Sequence, residues 1–266
     1  MGSSRLPGKV LLDIAGKPML QHVIERTRRA RMLDSVTVAT TTDTSDDPVA
    51  VFAASMGVAC TRGSLHDVLD RYYRAAQTHS ADIVIRITGD CPVIDPALID
   101  LAVTTLLDGG YDFVANRLPP PFMRTFPIGL DVEVCTFAAI ERAWREADQL
   151  FHREHVMPFV YEGVTLNPEN GLVQTGSSTR GFKIAIINHT PDYGSLRWTV
   201  DTPEDLEMIR RVFDALEDKN NFTWYDLLSL VQTRPALTEI NAQVRHKTMT
   251  DIDNRYNGQI PNIKQV

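Results

Sequence analysis

Three short stretches of the 266-residue sequence hold the side chains best suited to chemistry. The first is Gly2-Ser3-Ser4-Arg5-Leu6-Pro7-Gly8-Lys9. Small residues let backbone N–H groups approach an anion closely, and Arg5 and Lys9 add charge suited to a triphosphate. The stretch is not a P-loop, because Val10 stands where Ser or Thr must follow the lysine, and it is not G-x-G-x-x-G. A flexible N-terminus with two solvated cations is the competing reading. The second stretch is Thr88-Gly89-Asp90-Cys91-Pro92, placed just after an apolar run. A carboxylate at a strand end suits a metal ligand, and Gly89 leaves room for a ligand beside the backbone. A turn-forming aspartate is the alternative. The third is Arg197-Trp198-Thr199-Val200-Asp201-Thr202-Pro203-Glu204-Asp205. Thr202, Glu204 and Asp205 fit a helix cap, whereas Asp201 could face Asp90 across a shared site. Two carboxylates brought together repel unless a cation lies between them, which is the physical case for magnesium.

Other candidates are weaker. Asp131 and Glu133 share one face of an expected strand and suit either a polar outer surface or a sugar pocket. Arg153 and His155 flank Glu154 on a helix, where a salt-bridged face is the plainer reading. Cys91 has no general base near it in sequence and fits a packed thiol better than a nucleophile. The seven histidines show no zinc spacing.

The elements that would position these groups alternate between strand and helix. Helices are expected from Pro18 to about Arg31, from Asp46 to about Gly57, over Asp67–Thr78, from Pro96 to Gly109, over Phe137–Ala147 and His152–Tyr161, from Thr202 to about Leu216, and over Trp224–Val231. Strands are expected at Val36–Thr40, Val58–Thr61, Asp82–Ile87, Asp112–Ala115, Leu130–Val134, Lys183–Ile187 and Leu196–Val200. Pro119-Pro120-Pro121 breaks the pattern between Arg117 and Pro127, and the polar run Val164–Arg180 is expected to be a mobile loop. This alternation implies an α/β fold with a mostly parallel sheet and helices on both faces. Ligands in such sheets bind at the C-terminal strand ends, so the loops at Thr41, Arg62 and Thr88 to Pro92 are candidates for one site.

Composition narrows the classes. The 27 Lys plus Arg against 34 Asp plus Glu leave a formal net charge of -7, which disfavours nucleic acid and anionic membranes as partners. No apolar run reaches the ~20 residues of a membrane span, and three cysteines without C-x-x-C fit a reducing, cytoplasmic setting. A single domain over 1–246, with an excursion at 117–165 and a surface tail at 247–266, accounts for the length.

Seven segments, taken in order, resemble the cytidylyltransferase family that includes CMP-sialic acid synthetase, CMP-Kdo synthetase and the spore coat polysaccharide protein F group. They are MGSSRLPGKVLLDIAGKPMLQHVIER, VATTTDTSDDP, DVLDRYYRAA, RITGDCPVIDP, GLDVEV, REHVMPFVYE and RWTVDTPEDLE. The resemblance implies a Rossmann-like nucleotide-diphospho-sugar transferase fold that binds CTP over the strand ends and passes CMP to a sugar acid, with pyrophosphate released. It implies that Gly2, Ser3, Ser4, Arg5 and Lys9 hold the triphosphate, that Arg62, Gly63, Thr88 and Gly89 hold the nucleoside, and that Asp90 and Asp201 bind magnesium. Asp131, Glu133, Arg153 and His155 would line the sugar side, and a homodimer is expected with the excursion near the partner. A glycosyltransferase of similar fold and a non-catalytic nucleotide-binding subunit are the alternatives. Family members carry an apolar strand ending in Ala-Arg ahead of the first loop. Here Met1 lies within that loop, so the first strand is expected to be missing and the true start to lie upstream; a compromised chain or a substitute segment are the other options. Ile128 stands where many relatives carry Asp before Gly-Leu-Asp, a change expected to alter the sugar accepted.

Overall fold

In the computed structural model, which describes residues 1–168, 171–219 and 221–245, the site-bearing loops gather at one edge of a mixed sheet. The tail expected at 247–266 lies outside the described residues. The chain opens with a tight antiparallel pair, β1 (Asp13–Ile14) and β2 (Lys17–Pro18), followed by α1 (Met19–Thr27). Then come β3 (Thr37–Thr41), α2 (Asp47–Ser55), β4 (Ala59–Gly63), α3 (Val68–Thr78), β5 (Ile83–Arg86), α4 (Pro96–Gly109) and β6 (Phe113–Ala115). After the excursion follow β7 (Glu133–Thr136), α5 (Phe137–Glu146), α6 (Leu150–His155) and α7 (Pro158–Tyr161). The chain continues through β8 (Thr165–Leu166), β9 (Val173–Ser177), β10 (Lys183–Ile187), α8 (Pro203–Ala215), α9 (Trp224–Thr233) and α10 (Ala236–Glu239).

The expected α/β class is the observed one, but the large sheet is mixed rather than mostly parallel: of its pairings only β6 with β10 is parallel, because β7 and β9 run back against their neighbours. The large sheet runs β5-β7-β6-β10-β9-β8, while β3 and β4 pair in parallel as a separate sheet. Strands β5, β6 and β10 share one direction, because β7 is antiparallel to both β5 and β6 and β10 is parallel to β6. The loops after β5 and β6, and the start of the reversed β7, therefore meet at the same sheet edge. Apolar side chains of these strands and of α4, α8 and α9 form the main core, with Val114, Val134, Ala185, Trp198 and Phe213 fully buried. Burial of such side chains is worth about 1.5–3 kcal/mol each and supplies most of the driving force.

Helix starts follow the capping chemistry of the sequence. Asp95 accepts from the Ala97 N–H at 2.8 Å to begin α4, and Thr202 and Asp205 form a reciprocal capping box on α8. Three expectations are corrected. Leu196–Val200 is not a strand; its ladder contact is one bridge between Ile128 and Arg197. Val164–Arg180 holds β8 and β9 instead of a loop, because β9 finds a full antiparallel partner in β10. The single helix expected over His152–Tyr161 is broken at Val156, whose φ is +73°, into α6 and α7.

Gly129 fixes how the excursion joins the Asp201 segment. Its φ is +107°, and a Cβ there would stand 2.6 Å from both the Thr199 nitrogen and the Trp198 carbonyl carbon. Just before it the backbones bond directly through Ile128, whose N–H donates to Leu196 O at 2.8 Å and whose carbonyl accepts from Trp198 N–H at 2.7 Å. Gly129→Ala is expected to cost about 2–4 kcal/mol of stability through strain and displaced backbone. Thermal melting checks this, and a midpoint within about a degree of the parent would contradict it.

Buried imidazoles give the fold a pH dependence. His22 is buried with Nε2 2.8 Å from the Ile14 carbonyl, and burial holds its pKa below the ordinary value despite that bond. Burial does the same to His152, against the pull of Glu162. The folded state thus takes up these protons less readily than the unfolded chain. Their contribution is complete above the unfolded imidazole pKa of about 6.5 and is lost as pH falls through the folded values. The melting midpoint is expected to decline from about pH 7 to pH 5, less steeply in His22→Gln. A midpoint that rises over that window would refute the assignment.

Candidate active site

Lys9 is the hinge of the site. It begins the 3-10 turn Lys9–Leu11, which follows Gly8 at φ +69°. Its Nζ donates to Asp90 Oδ2 at 2.7 Å, to Asp201 Oδ1 at 2.8 Å and to the Val200 carbonyl at 3.0 Å. Three stretches that are far apart in sequence thus meet at one ammonium group. Arg5 Nη2 lies 3.0 Å from the other oxygen of Asp201. Burial works against the Lys9 charge, yet Asp90 and Asp201 outweigh it and hold its pKa above the ordinary value. Burial likewise opposes ionisation of Asp201, but Lys9, Arg5 and Arg197 keep its carboxyl well below the usual carboxylate range.

A rigid support stands behind Asp201. Arg197 reaches it through Nη2 at 2.9 Å and also pairs with the fully buried Asp205, Nε to Oδ1 at 2.8 Å. Asp205 accepts from the Asp201 and Thr202 N–H groups at 3.0 and 3.1 Å, and Asn241 donates to it at 2.9 Å. The expectation that Asp205 is a capping residue holds, and it also orders the Asp201 segment, whose N–H it accepts from. Asp90 is tied to the same segment through its carbonyl, which accepts from Val200 N–H at 2.9 Å and Thr199 Oγ1 at 3.1 Å.

The remaining expected residues take varied places. Gly2, Ser3 and Ser4 lead into Arg5 in the N-terminal loop, where Ser3 Oγ accepts from Leu6 N–H at 3.3 Å. Thr88 and Gly89 follow β5; Thr88 Oγ1 is 3.1 Å from Cys91 Sγ. A Cβ on Gly89 would meet only Val10 and Leu20 side chains at 3.4 and 3.9 Å, an ordinary contact. Cys91 is buried, and burial together with Asp90 and Asp131 pushes its thiol pKa well up, as a packed thiol requires. Arg62 and Gly63 end β4, and Arg62 clamps the turn after β3 by donating to Thr41 O at 2.7 Å and pairing with Asp47 at 2.7 Å. Arg153 joins Asp67, Nε to Oδ2 at 3.0 Å, and donates to the Trp144 carbonyl at 2.7 Å, so its guanidinium ties α6 to α3 and α5. His155 is the last residue of α6.

Asp131 and Glu133 are both ion-paired, and the partners are arginines that sequence reasoning did not select. Arg124 makes a two-pronged pair with Asp131, Nη2 to Oδ2 at 3.0 Å, and Arg117 Nε lies 3.4 Å from the same oxygen. Glu133 is buried and meets Arg86 at 2.5 Å. Asn116 fixes this strip from beside it, donating to Leu130 O at 2.7 Å and accepting from Val132 N–H at 2.9 Å.

A family model described as cytidylyltransferase matches residues 1–237. The chain is similar to the spore coat polysaccharide biosynthesis protein SpsF of Bacillus subtilis, with 28% identity over 249 residues covering 91% of this chain and 95% of that one. It is similar to the 3-deoxy-manno-octulosonate cytidylyltransferase of Pelobacter propionicus, with 31% identity over 251 residues covering 82% of this chain and 95% of that one. A solved structure of a cytidylyltransferase from Leptospira borgpetersenii superimposes with a TM-score of 0.78 at 33% identity, covering 92% of this chain and 95% of that one.

Proposed function

Because the chain belongs to the cytidylyltransferase family, and so is a nucleotidyltransferase, we propose that it transfers CMP from CTP to an acidic sugar and releases pyrophosphate. The observation that carries this reading is the single ammonium of Lys9 held between Asp90 and Asp201, with Arg5 on the outer oxygen of Asp201. It supports the reading because a nucleoside triphosphate needs both features: carboxylates for its divalent ion and cations for its phosphates.

Asp90 and Asp201 fit magnesium, which takes one or two carboxylates and completes its shell with water and substrate phosphates. The ion, when bound, would neutralise charge on the triphosphate. The chain's own groups do the rest. A sugar hydroxyl oxygen forms the new bond to the α-phosphorus of CTP, and the bond from that phosphorus to the bridging oxygen of pyrophosphate breaks. The hydroxyl proton passes to solvent. Arg5 and Lys9 stabilise the charge that accumulates on the departing pyrophosphate, and the Arg197–Asp205–Asn241 network keeps Asp201 in register. Positioning and electrostatics supply the rate, with no covalent enzyme intermediate. A named relative acts on 3-deoxy-manno-octulosonate, which supports a 3-deoxy sugar acid as the acceptor class.

The test is pyrophosphate release with each of the four nucleoside triphosphates against a panel of neutral and acidic sugars. Release that requires CTP and a sugar acid together is the expected result. Release that is independent of the sugar, or that favours another nucleotide, would sink the reading.

A further inference from the structure

Three guanidinium groups and two carboxylates are packed together at the mouth of β5, β6 and β7. Arg86 ends β5, Arg117 lies two residues past β6, Glu133 begins β7, and Asp131 and Arg124 come from the excursion. The register sets Glu133 opposite both Arg86 and Ala115, so the group is assembled by the sheet itself. Its charges act on one another: burial opposes the Arg117 charge, and Asp131, Glu133 and Arg86 are all close enough to shift it. The charge of Asp131 acts on the Cys91 thiol, the neighbour of Asp90, so the cluster is felt beside the carboxylates that hold Lys9.

Among the described residues the cluster carries one cation more than its carboxylates neutralise, and Arg86 Nε is buried with no hydrogen-bond partner. A surplus guanidinium in a half-buried site recognises an anion, and a planar two-pronged donor matches a carboxylate best. Arg117 and Arg124 keep 23% and 15% of their side chains exposed, so a ligand can reach them, whereas Glu133 beneath is sealed at 7%. We propose that Arg117 and Arg124 receive the carboxylate of the acceptor sugar, with Asp131 holding the two guanidinium groups in place and the Arg86–Glu133 pair forming the floor. This rests on the cytidylyl-transfer reading and adds the acceptor's recognition to it. It makes Arg117 and Arg124 specificity residues, distinct from Arg5 and Lys9 at the triphosphate.

The probes are 3-deoxy-manno-octulosonate and N-acetylneuraminate, each beside its methyl ester, with CTP and magnesium held saturating. The better acid is expected to exceed its ester in kcat/KM by about 30-fold, mainly through KM, as a charge-assisted contact provides. Arg117→Gln and Arg124→Gln should each bring that ratio to within about threefold, the acid losing far more kcat/KM than its ester. Equal use of acid and ester by the parent protein overturns the proposal. So does an equal loss for acid and ester in the variants, since that is what a purely structural ion pair gives. Should a Gln variant fail to fold, the charge-retaining Arg124→Lys must keep a preference for acid over ester, and a preference lost there counts against the proposal. Calorimetry separates the two layers: CTP binding without binding of either acid overturns carboxylate recognition alone, whereas no binding of CTP overturns the transfer reading beneath it.

Discussion

Asp201→Asn is expected to lower kcat for pyrophosphate release by about 10²–10³-fold, and Asp90→Asn by a similar factor. Each removes one of the two carboxylates that meet at Lys9, and Asp201 also anchors Arg5 and Arg197. The amide can still accept a hydrogen bond but carries no charge for a divalent ion. The fold should survive, because Arg197 keeps its two-pronged pair with Asp205 and Asn241 keeps its bond to the same carboxylate. Steady-state release measured beside thermal melting separates the effects. More than about a tenth of the parent kcat in either folded variant would contradict the assignment.

Lys9→Met is expected to act on both stability and turnover. Without the ammonium, Asp90 and Asp201 face each other directly, and two unit charges about 5 Å apart repel by roughly 3 kcal/mol at an effective dielectric near 20. Arg5 and Arg197 offset part of this on the Asp201 side. The melting midpoint should therefore fall, and millimolar magnesium should raise it more in Lys9→Met than in the parent, since the ion no longer competes with a tethered cation. Turnover should fall about 10²-fold through lost stabilisation of the leaving pyrophosphate. Equal magnesium response in the two proteins would show that the carboxylates do not form a cation site.

The residues at the centre of this account could be read from the sequence for a physical reason. Asp90 follows a β-branched run and Asp201 precedes a strong N-cap, so local pattern alone places both at element ends. Lys9 could be named as a phosphate group, but its bridge to both carboxylates spans 81 and 192 residues, and no local pattern encodes that. Arg117 and Arg124 escaped notice because Pro119-Pro120-Pro121 makes their segment look irregular; they matter only once β7 turns back against β6. Strand β9 was hidden by its composition: Val173-Gln174-Thr175-Gly176-Ser177 has almost no apolar alternation, since its stability comes from ladder bonds to β10 rather than a buried face. Leu196–Val200 erred the other way. Trp198 and Val200 are fully buried, but Gly129 brings backbone against the segment for a single bridge only.

The separation of roles also follows from topology. Strands β5 and β6 deliver Asp90 and Arg117 to the same edge, and the reversed β7 begins there with Glu133. In the proposed site, Lys9, Asp90 and Asp201 serve one end and the arginine cluster the other, and the charges of Asp90 and Asp131 both act on Cys91. A donor nucleotide and an acidic acceptor would each meet the charge they require.

The most direct check is to resolve the products formed from CTP and a sugar acid by mass spectrometry while pyrophosphate is counted in the same sample. One sugar ester of CMP is expected for each pyrophosphate released. Formation of CDP and inorganic phosphate instead, or free CMP with the sugar acid recovered unchanged, would contradict it.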